Sequence, residues 1–261
     1  MSDASTLNDA NPASAVPQQS ATYKKYLSLH TKNAPLAGAL LLCLDMNTAG
    51  AEWAMAATIA GAAFLGIDAQ MQRLKLAQQN QACDFVVNSL DEALRILKNE
   101  IRKRQPIAVG LLGNAEEILQ MLGERGVQPE FLIRSENQAS TRAMQLLIQR
   151  GAQWLGAPAA PHEPVQWTVD DARDLPQIDA LIATILPAED SIRRRWLLHA
   201  PACFVRQRPS QRVLTLTAQE ISAVVHAMEL PEWRAQLRQP FTFSWADTSL
   251  RIQPLVVSPQ S

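Results

Sequence analysis

From Leu40 onward, short apolar runs alternate with longer amphipathic stretches, the pattern of strands and helices in a mainly parallel sheet. Residues 40–44, 63–67, 85–87, 107–112 and 131–133 are predicted strands. Between them, residues 89–104 place Leu90, Ala93, Leu94, Leu97 and Ile101 on one helical face, and the Ser89/Glu92 spacing predicts a capping box at its start. A second helix should begin at Asn114, whose side chain can accept a free backbone N–H while Glu117 reaches back. It turns Ile118, Leu119 and Leu122 inward and has Gly126 near its end. A third helix, residues 140–150, leads to an apolar run at 152–155, after which APAAPHEP interrupts regular structure. Beyond this come a short buried segment at 178–185, an Arg-rich helix at 189–199 and a helix over 217–237 opened by Thr217 and Glu220. The alternating tail, 241–257, predicts a terminal hairpin.

Composition narrows the class. A chain of 261 residues with 47% hydrophobic content forms one large domain, or one domain with an appendage. With 24 Lys and Arg against 25 Asp and Glu, no charge excess draws it to nucleic acid or to an acidic membrane. Cys43, Cys83 and Cys203 are odd in number, far apart and beside apolar runs, which reads as reduced thiols in a cytosol and offers no metal-ligand spacing. Residues 1–20 are rich in Ser, Ala, Asn, Pro and Gln without the form of a secretory signal, so a disordered leader is expected. No apolar stretch reaches the roughly 20 residues that cross a bilayer. A cytoplasmic protein is expected.

Candidate chemistry gathers at one place. The helix at Asn114 directly follows strand 107–112 and Gly113, so its free N–H groups point out at the carboxyl edge of the sheet, where open α/β sheets bind ligands. A nucleotide site there also needs a glycine-rich turn after the first strand and an acid ending the second. The acid is Asp68, but the turn, DMNTAGAEW, has only Gly50 as a glycine. The residues alone leave two accounts open, because Asp68 also serves as a turn cap, Arg73 as a solvated helix residue and Asn114 as a plain N-cap. Arg193, Arg194 and Arg195, with Arg206, Arg208 and Arg212 nearby in sequence, are expected to form a solvated face rather than an anion site. The four histidines lack a nucleophile or acid at a catalytic spacing. Trp154, Trp167, Trp196, Trp233 and Trp245 are expected as core or interface anchors.

Longer stretches carry a resemblance. CDFVVNSLDEALRILKNEIRKRQPIAVGLLGNAEEILQMLGERGVQPEFL is similar to the central part of the urocanase (urocanate hydratase) family, and LAGALLLCLDMNTAGAEWAMAATIAGAAFLGIDAQMQR matches the segment before it. QLLIQRGAQWL and RRRWLLHAPACFVRQRPSQRVLTL are fainter echoes, so the similarity runs from about Tyr23 to about Ala223 and spans less than half of a urocanase. The resemblance implies a Rossmann-like three-layer α/β sandwich over 21–156; the proline-rich stretch predicts a linker at 157–177, and a small C-terminal α/β extension, 178–261, is expected to pack on the same sheet or stand as an appendage. The resemblance also implies NAD, which urocanases use as an electrophile. The family's pyrophosphate turn falls on Thr48, Ala49 and Gly50, its ribose acid on Asp68, and matched positions continue at Arg73, Asn114 and Ala115. The loop that wraps the cofactor in the family corresponds to RSENQAS at 134–140 and keeps none of its pattern, while GAPAAP and TLTAQEI replace two further turns. The family's substrate-site tyrosine, cysteine and aspartate come from segments with no counterpart here, so no catalytic and no metal-binding residue is assigned.

The expectation is therefore a protein without hydratase activity that acts by binding a nucleotide, NAD or a relative, or a protein partner, a homodimer included. Two alternatives stand beside it. One is a urocanate hydratase-like lyase, or another enzyme using bound NAD, completed by a partner chain. The other is an assembly module with no ligand, its crevice filled by Met46, Glu52 and Trp53.

Overall fold

The structure, a computed structural model, describes residues 18–31, 35–133, 141–155, 164–207 and 210–255. Six strands, β1 (Leu40–Cys43), β2 (Ala63–Asp68), β3 (Phe85–Val87), β4 (Ile107–Leu112), β5 (Phe131–Ile133) and β6 (Gln153–Leu155), form one sheet in the order β3-β4-β2-β1-β5-β6. Every pairing is parallel. The connecting helices are α2 (Thr48–Ala60), α3 (Met71–Gln79), α4 (Leu90–Lys103), α5 (Ala115–Glu124) and α6 (Arg142–Gln149), with α1 (Gln19–His30) before them. β1 and β2 are buried at every position because helices cover both faces of the sheet. Leu41, Cys43, Phe64 and Phe131 point to the side of α1, α2 and α3, whereas Leu40, Leu42, Leu65, Val109 and Leu132 point to the side of α4, α5 and α6. This is the expected Rossmann-like sandwich, and its strand order reverses direction between β1 and β5.

The second half builds its own sheet. β7 (Pro164–Val169), β8 (Gln211–Thr215), β9 (Phe241–Trp245) and β10 (Thr248–Ile252) pair antiparallel in the order β10-β9-β7-β8, with α7 (Leu175–Ile185), α8 (Ser191–Cys203), α9 (Ala218–Glu229) and the single turn α10 (Pro231–Arg234) between them. The two halves share one hydrophobic cluster through α1, α2 and α8. Trp196 of α8 is fully buried, with ring centroids 4.8 Å from Tyr23 and 5.3 Å from Tyr26 of α1. The Tyr23 hydroxyl accepts the Thr215 N–H at 3.0 Å, the Tyr26 hydroxyl donates to the Ile192 carbonyl at 2.6 Å, and Arg195 Nε donates to the Ile59 carbonyl at 2.6 Å. Lying between the sheet on one side and α1 and α8 on the other, α2 is buried around nearly its whole circumference, which is why its sequence is small and apolar rather than striped.

Several expectations change. Residues 164–169, inside the expected linker, form the central strand β7, whose Val165, Trp167 and Val169 turn inward; the prolines before it masked that alternation. Residues 178–185 belong to helix α7. The helix expected over 217–237 stops at Leu230 because Pro231 has no N–H to continue it, and Pro231 starts α10 instead. The Thr217/Glu220 capping box forms. The Ser89 box does not, and the start of α4 is favoured by Asp91 and Glu92 against the helix dipole. Helix α1 begins inside the expected leader and buries Tyr23, Tyr26 and Leu29 along one face; the rest of that leader, like 156–163, lies outside the described residues. No helix among the described residues is long and apolar enough to cross a membrane.

Candidate functional site

The carboxyl edge of the parallel sheet is held together by two carboxylates. β1 leaves the sheet at Cys43, and the next residues make a tight Asp-x-Asn turn: the Asp45 carboxylate accepts the Asn47 N–H and the Asn47 side-chain amide, each at 3.1 Å. Asn47 is in turn the N-cap of α2, its Oδ1 accepting the Gly50 N–H at 3.0 Å. Gly50 is required here by the chain itself, since a Cβ would lie 2.0 Å from the Asp45 carbonyl oxygen.

Asp68 ends β2, is 6% exposed, and has both oxygens engaged. Oδ2 accepts the Met46 N–H at 3.0 Å and Oδ1 the Gln70 N–H at 2.7 Å. Arg73, from α3, bridges the two acids, with Nη1 2.9 Å from Asp45 and 3.5 Å from Asp68. The Asp68 carbonyl accepts the Gly113 N–H at 3.0 Å, which ties the end of β4 to the same place. Next to it, Asn114 Oδ1 accepts the N–H groups of Glu116 and Glu117 and opens α5, with Ala115 as the first helical residue.

The sequence-predicted positions Thr48, Ala49, Gly50, Asp68 and Arg73 therefore meet at one edge, with Asn114 and Ala115 beside them. The structure adds Asp45 and Met46. Asp45 was legible as an Asx turn, because Asp two residues before Asn and directly after a strand is that motif. The role of Met46 was not legible, because it depends on a neighbour in another strand: its side chain lies over Gly66, where a Cβ would be 2.1 Å from the sulfur. Glu52 and Trp53, expected as fillers of the same crevice, turn to α1 instead, where Lys25 Nζ is 2.6 Å from Glu52 and stands over the Trp53 ring.

Among the described residues the edge carries a cavity of about 150 Å³ lined by Met46, Asn47, Thr48, Arg73, Leu76 and Asn80. Ligand pockets usually measure about 300–1,000 Å³. The one guanidinium described here, that of Arg73, is engaged by Asp45 and Asp68. The residues present do not fit a dinucleotide while Met46 stays in place. The segment matching the family's cofactor-wrapping loop, 134–140, lies outside the described residues.

The arginine run corrects a second expectation. Arg193 forks onto Glu220 at 2.7 Å, Arg194 donates to the Leu186 and Pro187 carbonyls, Arg195 to Ile59, and Arg212 is buried against Asp179 at 3.1 Å. They brace elements internally because each guanidinium reaches an acid or a free carbonyl. Burial pushes the Cys43 and Cys83 thiols up to about 12, so neither is a nucleophile at neutral pH. Among the described residues no group of His, Cys, Asp and Glu could hold a metal ion.

Residues 20–144 match the family model of the urocanase Rossmann-like domain. The match takes in α1, the sheet from β1 to β5 with its helices, and every residue of the edge just described; the fainter echoes beyond 144 lie outside it.

Proposed function

We propose that this chain, whose residues 20–144 are a urocanase Rossmann-like domain, is a binding protein that has given up urocanate hydration and works through its surface rather than through a bound dinucleotide. The observation that carries this is the state of Asp68. In the position of the ribose-binding acid, its carboxylate is already spent on the Met46 and Gln70 N–H groups, with the Met46 side chain in the space beside it. The side chain of Thr48, where the family's pyrophosphate turn has its first glycine, supports the same conclusion.

A nucleotide is the second reading, favoured by the convergence of Gly50, Asp68, Arg73 and Asn114 on one edge in a domain family associated with NAD. It requires Met46 to leave its place. Mass analysis of small molecules released from the denatured protein separates the two, followed by thermal-shift titration with NAD for wild type and Met46→Ala. The proposal expects no released nucleotide and no shift for wild type. A ligand at a hundredfold over its Kd stabilises by about 2.7 kcal/mol, so co-purified NAD, or a wild-type shift of that order, overturns it. Loss of urocanate absorbance on incubation with the purified protein overturns the absence of hydratase activity.

A further inference from the structure

Helix α8 turns one face to the hydrophobic cluster through Trp196, Leu197 and Ala200, and another to solvent. The solvent face is not polar. Leu198 is 73% exposed and Val205, two turns on, is 59% exposed, the two most exposed large apolar side chains among the described residues. Exposed Ala202 lies between them on the same stripe, since residues four and seven apart share a helix face, and the Phe204 N–H, bonded to the Ala200 carbonyl, carries the helical path on to Val205. A lone exposed leucine is ordinary, but an apolar stripe two turns long marks a contact surface.

The charges at its ends say what covers it. Arg194 stands one turn before Leu198, and Arg206 directly follows Val205. Arg194 donates to the Leu186 and Pro187 carbonyls, and Arg206 to the Gln79 carbonyl at 3.0 Å. A backbone carbonyl holds a guanidinium in place and leaves its charge uncancelled. Among the described residues neither arginine forms an ion pair, whereas Arg193 and Arg212 meet Glu220 and Asp179. No acid stands in the stripe Ser191, Arg194, Leu198, Ala202 and Val205. Its two ends, Arg194 and Arg206, are about 18 Å apart along the helix, and both are positive. A second copy of this chain turned through 180° would set Arg194 against Arg206, like against like. A nucleic acid would neutralise the arginines and leave Leu198 and Val205 uncovered. An amphipathic helix with an apolar middle and acidic ends satisfies both.

We infer that the outer face of α8 docks an acidic amphipathic helix of another protein. The inference rests on the surface-binding reading above and names its partner, but its test reads α8 alone, whatever the Asp68 edge holds. The photo-cross-linking residue p-benzoylphenylalanine replaces Leu198 in the full chain, expressed in the cells it comes from, and the cross-linked peptide is sequenced by mass spectrometry. The expected product is a peptide of another protein, with apolar residues seven apart and Asp or Glu about one turn outside them. The yield is expected to fall on the order of tenfold when Val205→Asp is added, and likewise when Arg194→Gln and Arg206→Gln are added together. Val205 is exposed and glutamine keeps a donor for each carbonyl, so these variants fold, and unchanged urea midpoints verify it. The inference is overturned by the absence of any cross-linked protein, by a cross-link to lipid or to a second copy of this chain, or by a peptide without carboxylates. A yield indifferent to the arginine replacements overturns it too. Such a failure leaves the surface-binding reading to the released-nucleotide assay, which is measured separately.

Discussion

Replacing Gly50 by alanine separates a glycine kept for a ligand from one kept for the fold. In the first case the ligand-free protein should tolerate alanine; Gly50 lies in the first turn of α2, where alanine is better than glycine by about 0.5–1 kcal/mol. The structure predicts the reverse. The new Cβ would sit 2.0 Å from a backbone oxygen, that of Asp45, and 3.4 Å from Cys43 Sγ, so the 45–47 turn must move. That turn carries the Met46–Asp68 bond, the Arg73–Asp45 pair and the Asn47 cap. Overpacking costs about 1–3 kcal/mol and a strained cap or hydrogen bond about 1 kcal/mol each. Set against the helix gain, the net loss is about 2–3 kcal/mol. Urea unfolding of nucleotide-free protein measures it, with Gly123→Ala as control: there a Cβ meets nothing nearer than Arg150 Nη1 at 3.8 Å, and a gain of about 0.5–1 kcal/mol is expected. A Gly50→Ala protein within about 0.5 kcal/mol of wild type would refute the packing argument and return Gly50 to a ligand role.

Burial raises Asp179 to about 6 despite its bonds to Trp167 Nε1 and Arg212 Nε, so the folded chain binds that proton more tightly than the unfolded one, and this group adds stability as pH falls from above 6 towards 4, by up to about 3 kcal/mol. Unfolding midpoints for wild type and Asp179→Asn should separate in favour of wild type across that window; parallel curves contradict the assignment. Asn114→Ala should cost about 1 kcal/mol through the lost cap of α5, read from chemical denaturation. Tyr26→Phe strands the Ile192 carbonyl in the joint between the halves and should cost about 1–3 kcal/mol by the same measurement. Alkylation at neutral pH should leave Cys43 and Cys83 unmodified in the folded chain and label both after unfolding; fast labelling of either would contradict their burial.

The parallel sheet was legible because both its faces are covered, so β1, β2 and β4 read as uninterrupted apolar runs, and because Asn114 and Gly113 mark a helix start that needs no distant partner. Elements whose identity depends on distant partners were not. Strand β7 alternates as a half-buried strand should, yet its inward face depends on distant residues such as Asp179 of α7, which takes the Trp167 N–H. Helix α1, which starts at Gln19 within the expected leader, was not read as a helix because Tyr23, Tyr26 and Leu29 are spread among polar residues and meet their partner only when Trp196 arrives from α8. At the candidate site the positions of Asp68 and Gly50 were readable, but their occupation was not, since it is fixed by the Met46 backbone, a group without any signature in composition.

Because α1 closes over Trp196 and the small sheet, the chain has no seam at which it can be cut. A fragment ending at Leu155 would retain every strand of the parallel sheet and still leave Tyr23, Tyr26 and one whole flank of α2 facing water. Such a piece should come out of cells as insoluble material. Melting of the intact protein should in turn be a single sharp event shared by both sheets, with the first helix serving as the clasp that makes them one object.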